Sequence, residues 1–354
     1  MIERELFRRY PQLRGSVPWL PLAQLPTPLQ TIDIELPAGA AGIWIKRDDL
    51  AGDPYGGNKV RKLEFLLADA KARGATRVIT AGAFGSHHSL ATTVYARQMG
   101  LDVTVVLFPQ HITPHVRRIL YMMAGLGAEI RLTRRMEFVP VALQRARRRC
   151  GGAAYVIKPG GSDALGTLGY VECGLELAEQ WRQGLAPRPA RIHVAAGTLG
   201  TTGGLALGLA MAGENIPVIG TRITSRLVTN ERALAALVKG AAGLLARAGV
   251  ATPAVGDVIA GVTFLHDQIG EGYGRQTAAG ASAVRWFGEA GIALDATYTA
   301  KSAAAFLADP LTAVGETLFL HTLSAVEPTA AAEKVTHRDL PAQIAAYITD
   351  APND

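Results

Sequence analysis

The order of apolar and polar positions predicts a chain of alternating strands and helices. Short runs rich in β-branched residues stand at Arg77–Thr80, Val103–Phe108, Glu129–Leu132, Tyr155–Lys158, Ile192–Ala195, Val218–Arg222 and Thr317–His321, most of them separated by helix-length segments. This alternation predicts parallel α/β layers, and in open sheets of that kind ligands bind at the loops that follow the strands. Ile43–Leu50 reads as a further strand ending in the charged run Lys46-Arg47-Asp48-Asp49. Ahead of it, Pro18, Pro21, Pro26 and Pro28 predict that residues 1–40 form an extended arm. The longest apolar run, Gly203–Gly213, is too short to cross a bilayer and predicts a buried helix, so no membrane segment is expected.

The stretch around which the rest is organised is Gly56-Gly57-Asn58-Lys59-Val60-Arg61-Lys62-Leu63-Glu64. Two glycines and an asparagine open a turn, after which Val60, Leu63, Leu66, Leu67 and Ala70 recur at helical spacing. Lys59 therefore stands at a helix mouth, near the positive end of the helix dipole, where a neutral nucleophilic amine or an imine is favoured. Lys62 follows one turn later on the same face. Taken alone, both are ordinary surface lysines; three later loops decide otherwise.

Ala81–Ser89 contains Ser86, His87 and His88 and leads into a helix, presenting N–H groups suited to a carboxylate. Lys158–Gly166 contains Ser162 and Asp163, which serve equally as a turn and helix cap or as a ligand contact, with domain closure as a third role. Ala195–Gly204 follows a strand with glycines, threonine hydroxyls and a helix start, a combination that suits a phosphate. It is neither a dinucleotide fingerprint nor a nucleotide-triphosphate loop. A helix-mouth lysine and a phosphate cradle on one α/β chain point to pyridoxal phosphate held as a Schiff base.

Composition narrows the classes. With 354 residues, 49% of them apolar, the chain has ample core for two domains or one large unit. Cys150 and Cys173 lack the spacing of a zinc site or a disulfide framework, so reduced thiols and no metal are expected. The N-terminal segment has no apolar run of signal-peptide type, so a cytoplasmic location is expected. The net charge of +6 has its densest cluster at Arg145 and Arg147–Arg149. No aromatics interleave there, which predicts a solvated helix face rather than a nucleic-acid surface. A modest positive field suits an anionic cofactor and substrate.

The lysine turn, with Lys46–Leu50 before it, closely resembles the D-cysteine desulfhydrase and 1-aminocyclopropane-1-carboxylate deaminase family of pyridoxal phosphate enzymes. Further matches follow in family order: Gly160-Gly161-Ser162-Asp163, Gly169-Tyr170-Val171, the phosphate loop, Gly272-Tyr273-Gly274, Leu294–Lys301 and Leu320-His321-Thr322. The likeness spans roughly residues 20–325. It implies the tryptophan-synthase-β-like α/β fold, fold type II, with two three-layer α/β domains and the cofactor between them. The larger would comprise residues 1–60 and 174–354, the smaller residues 61–173, closing over the substrate, and homodimers would be usual. By the same likeness Lys59 carries pyridoxal phosphate, and Gly197, Thr198, Leu199, Gly200, Thr201 and Thr202 hold its phosphate, with Lys62 beside them. Ser86, His87, His88 and Ser162 meet a small amino-acid substrate, while Tyr273 and Tyr298 line its other side or simply pack with buried hydroxyls.

Two positions separate the family's branches. Thr299 and Thr322 stand where the deaminases have glutamate and leucine, and so side with the desulfhydrases. A threonine beside the pyridine nitrogen leaves a milder electron sink, suited to β-elimination. The departures are His87 for an asparagine, Ser89-Leu90-Ala91 after the histidines, Leu199 for a glycine, and Leu323-Ser324-Ala325 for a glycine pair. They fall on the face that reads the substrate. His87 is equally a structural residue or an acid–base group. The reading is a lyase releasing a β-substituent such as sulfide, with Lys59, Tyr273, Tyr298, Ser86 and His87 as catalytic candidates. Ring opening, β-replacement, racemisation and a non-catalytic cofactor- or phosphate-binding protein are the alternatives.

Overall fold

The computed structural model describes residues 3–36 and 39–349. Ten strands are β1 (Leu29–Leu36), β2 (Gly39–Arg47), β3 (Arg77–Ala83), β4 (Asp102–Phe108), β5 (Glu129–Leu132), β6 (Ala154–Val156), β7 (Arg191–Ala196), β8 (Val218–Arg222), β9 (Val262–Leu265) and β10 (Thr317–His321). They form a six-stranded sheet, β1-β2-β10-β7-β8-β9, and a four-stranded sheet, β5-β4-β3-β6. All pairings are parallel except β1 with β2. Parallel strands need crossovers, and the intervening helices supply them.

The helix Gly200–Met211, foreseen in the apolar run, packs against Ala164–Arg182 with almost every residue buried. A Cβ on Gly174 would stand 2.6 Å from Leu209 N, so glycine is what lets these backbones approach. The arginine cluster lies on the exposed face of Val139–Cys150.

The amino-terminal arm departs from expectation. Residues Glu5–Arg9 form a short helix, Leu6, Phe7 and Leu13 are buried, and β1 pairs with β2. A helix this short has no readable period. It is held by tertiary contacts, because Glu172 accepts the N–H groups of Glu5 and Leu6 at 2.9 and 2.6 Å, and Arg4 pairs with Glu64. The parts of the predicted arm at residues 1–2 and 37–38 lie outside the described residues.

The helix Asn58–Ala72, which carries Lys59, is anchored by a buried charge network. Arg61 donates to Asp48 at 2.7 and 2.9 Å and to Glu176 at 2.9 and 3.0 Å, all fully or almost fully buried. Lys46 pairs with the same Glu176, and Tyr170 donates to Asp48 at 2.6 Å. One guanidinium thus ties the lysine helix to the start of the loop after β2 and to Ala164–Arg182.

Candidate active site

The lysine turn is locked onto the end of β10. Gly57 has φ +77°, and a Cβ there would meet Thr322 O at 2.7 Å. Asn58 N donates to Thr322 O at 3.1 Å, Gly56 N donates to Ser324 Oγ at 2.7 Å, and Ala325 N donates to Asp49 O at 3.0 Å. Ser324 therefore braces the turn with its hydroxyl. Lys59 Nζ donates to Asn58 Oδ1 at 2.6 Å, and Asn58 Nδ2 donates to Thr201 Oγ1 at 3.0 Å. Burial brings the Lys59 ammonium down to about 8, with Asp295 pulling the other way.

The loop after β7 opens the helix Gly200–Met211. Leu199 sits at its N-cap with φ +67°, the left-handed region where glycine is at ease, at a cost of about 1–2 kcal/mol for leucine. Ser162 accepts from Gly200 N at 3.2 Å and bonds Thr198 Oγ1 at 2.7 Å. Lys62, buried, donates to Gly160 O at 3.1 Å and Ser162 Oγ at 3.3 Å. A Cβ on Gly200 would come within 3.0 Å of Lys62 Nζ, so the amine lies against this helix start. Burial and the neighbouring Lys59 push the Lys62 ammonium well below its usual range. Thr202 Oγ1 is buried with no partner among the described residues. A helix N-terminus, an orphaned hydroxyl and an amine with no ion-pair contact among the described residues together fit a phosphate.

Ser86 caps the helix His87–Gln98, its Oγ accepting from Ser89 N at 3.1 Å. The N–H groups of His87 and His88 have no acceptor among the described residues. His88 Nε2 meets Thr80 Oγ1 at 2.8 Å, and that hydroxyl donates to Ile157 O, so His88 is the donor and ties the loop to β3. His87 has both ring nitrogens engaged, Nδ1 with Tyr55 Oη at 2.6 Å and Nε2 with His115 Nε2 at 3.2 Å. Burial lowers its pKa to about 4, leaving a neutral ring near neutrality. Glu327 approaches His115 Nδ1 at 3.9 Å, a ligand set of metal type. Arg118 already places a cation there, 3.2 Å from His115 Nδ1 and 3.4 Å from Glu327.

On the opposite wall Tyr273 and Tyr298 join hydroxyls at 2.6 Å with their rings edge to face. Burial raises both, Tyr273 to about 12 and Tyr298 further, so both remain phenols. Lys301 donates to Ile269 O and Gly272 O at 2.6 and 2.9 Å and fixes the loop that presents Tyr273. Asp295 accepts from Thr297 N, Tyr298 N, Thr299 N and Thr299 Oγ1 at 2.7–3.0 Å. Burial disfavours its charge, but His87 in its protonated form and these donors outweigh burial and place it below the usual carboxylate range.

Every predicted site residue except Gly200 and Thr299 lines one cleft of about 830 Å³. Gly200 is buried at the helix start, and the Thr299 hydroxyl is spent on Asp295. Thr322 lines the cleft, as does Asp295. Asp295 lies within the matched motif Leu294–Lys301, which by itself gives it no role. Its place in the turn just before Thr299–Leu307, where an aspartate gathers the N–H groups of residues 297–299, is the signal that could have found it. His115 and Arg118 carry none, since the fold alone brings their helix, Pro114–Gly125, to His87.

A family model described as "Pyridoxal-phosphate dependent enzyme" matches residues 20–322. The chain is 38% identical to nocardicin C-9' epimerase from Nocardia uniformis subsp. tsuyamanensis, over 64% of this chain and 72% of that protein. It is 34% identical to D-cysteine desulfhydrase from Salmonella paratyphi B, over 86% of this chain and 93% of that protein. The crystal structure of an ACC deaminase homologue superposes with a TM-score of 0.73 at 32% identity, covering 91% of this chain and 95% of that one.

Proposed function

The chain belongs to the pyridoxal-phosphate dependent enzyme family, and from that membership we propose a lyase that removes a β-substituent such as sulfide from an amino acid, leaving a 2-oxo acid and ammonia. Its fold is fold type II, and its cofactor is pyridoxal phosphate. The carrying observation is the shared cleft, in which the helix-mouth Lys59, the loop residues Gly197–Leu199 with Thr201 and Thr202, and the paired phenols of Tyr273 and Tyr298 face one space.

Lys59 would hold the cofactor's aldehyde carbon, and the loop Gly197–Thr202 with Lys62 its phosphate. When bound, pyridoxal phosphate supplies a sink for the electrons left at the substrate α-carbon. Lys59, its neutral form favoured by burial, takes the α-proton. The helix start at Ser86–His88 receives the substrate carboxylate on its unpaired N–H groups. Tyr298 and Tyr273, protonated and bonded to each other, supply a proton to the departing group and share the resulting charge. His87 is directed at Tyr55 and His115, and acts by holding the loop.

In the same proposal residues 61–173 form a unit that closes over the substrate against residues 1–60 and 174–354, and two copies form a homodimer. The ends of the larger unit, residues 1–2 and 350–354, lie outside the described residues. No described helix is long and apolar enough to cross a membrane.

A second reading, inversion at the α-carbon, is favoured by the 38% identity to an epimerase. One experiment separates the two. The holoenzyme is incubated in D₂O with D- and L-cysteine and with alanine, which has no leaving group. Sulfide and pyruvate from cysteine support the lyase. Deuterium at Cα of alanine with loss of chirality and no sulfide from cysteine overturns it in favour of inversion.

A further inference from the structure

The cleft is larger than its assigned contents. Counting roughly 23 non-hydrogen atoms for the cofactor and a cysteine, each allowed about 30 Å³ as for a whole water, fills roughly 690 Å³. Bonded atoms take less, so this is generous, yet the cleft offers about 830 Å³. The devices for phosphate, amine and carboxylate all stand at its deep end. The wall left over is the loop after β4 and the segment 134–140 after β5.

That wall has a distinct chemistry. Arg134 and Arg135 line it, Lys158 lines the cleft from the loop after β6, at the other edge of the sheet, and all three are exposed, their side chains without a hydrogen-bond or ion-pair partner among the described residues. Among the described residues only two carboxylates line the cleft, Glu137 at this rim and Asp295 in the depth, where four donors already satisfy it. Cations therefore outnumber anions at the mouth. Apolar groups flank them: Met136 and Phe138 are 38% and 53% exposed, and Leu227 across the mouth is 91% exposed between the lining residues Ser225 and Val228.

We propose that the substrate is an amino acid whose β-substituent is an extended arm ending in an anion, with Arg134 and Arg135 selecting that end. This rests on the reading of the cleft as the site of an amino-acid enzyme. The apolar lips take the body of the arm, and the guanidinium forks take a carboxylate in the geometry they bind best. The released group is then a thiol carrying the arm rather than sulfide itself.

The test is rapid-mixing absorbance titration of the holoenzyme with cysteine, S-butylcysteine, S-(3-carboxypropyl)cysteine and S-(3-aminopropyl)cysteine, each as D and L forms. The carboxylate-ended arm is expected to bind at least about fivefold tighter than the butyl arm, as two exposed charge contacts allow. The advantage should fall below about twofold in Arg134→Ala/Arg135→Ala and shrink in high salt. Because the ratio is taken within each variant, a general loss of folding or cofactor does not imitate it. Equal binding of butyl and carboxypropyl arms, tightest binding of the aminopropyl arm, or a preference that survives the double substitution overturns the proposal alone. No spectral response to any of the compounds overturns the enzyme reading and the proposal with it.

Discussion

Replacing Lys62 by methionine should weaken cofactor binding and remove a pH dependence. Lys62 is 2% exposed, its amine donates among the described residues only to Gly160 O and Ser162 Oγ, and it is depressed by burial and by Lys59, with Asp163 pulling the other way. A bound phosphate supplies a contacting counter-charge, and a hydrogen bond to a charged group contributes about 1.5–3 kcal/mol, or roughly 10–150-fold in affinity. The charge also sets the sign. The ammonium pKa is low in the cofactor-free protein and rises beside a phosphate dianion, so between these two values binding takes up a proton. Affinity is then full below the lower value and falls about tenfold per pH unit up to the higher. The assay is absorbance titration of cofactor-free protein with pyridoxal phosphate from pH 7 to 9, where the phosphate, with its second pKa of about 6, is already a dianion. Comparing the parent protein with Lys62→Met cancels the titration of Lys59. Lys62→Gln, which keeps a donor for Gly160 O but no charge, should lose the slope as methionine does. Affinity within twofold of the parent and an unchanged slope in Lys62→Met would refute the assignment.

Lys59→Ala should abolish the visible band of the holoenzyme and its turnover; in the parent protein the rate of reconstitution should rise with pH and level off above about 8, as the neutral amine becomes the main form. Arg61→Met leaves Asp48 and Glu176 buried beside one fewer cation, and a loss of about 3–5 kcal/mol is expected in urea unfolding. Tyr298→Phe and Tyr273→Phe should each reduce turnover about 10²-fold with substrate binding retained, and unchanged turnover in both would remove the phenol pair from the mechanism. Leu199→Gly relieves the left-handed strain and should change the unfolding midpoint little, because removing a buried leucine side chain sacrifices hydrophobic burial of comparable size.

Much of this is legible in the chain because the site is made of local signals. Glycines before Asn58, small residues after β7 and the helix cap at Ser86 each declare a loop followed by a helix start, and β5, β8 and β10 lie where their apolar runs stand. What escapes depends on contacts between distant segments. The helix Glu5–Arg9 is shorter than two turns and is decided by Glu172. β9, Val262–Leu265, is a half-buried edge of four residues with little pattern to read. His87 can be placed at the site from its motif, but its partners Tyr55 and His115 come from other elements, and they turn its ring nitrogens toward themselves. The family resemblance implies that Thr299 stands beside the pyridine nitrogen; the bond of its hydroxyl to Asp295 is one that spacing alone does not announce.

The bonds from Gly56, Asn58 and Asp49 to residues 322–325 give the protein an order of assembly. The lysine is made early in synthesis, but the backbone that seats it arrives more than 260 residues later, with the last strand of the larger sheet. A nascent chain halted before β10 carries both helix starts and the reactive amine, yet lacks the wall against which Gly57 must lie. If Lys59 is the lysine that takes the aldehyde cofactor, capture in its proper seat would wait until the carboxyl-terminal part has emerged, and a truncated product would hold a lysine with nowhere to stand.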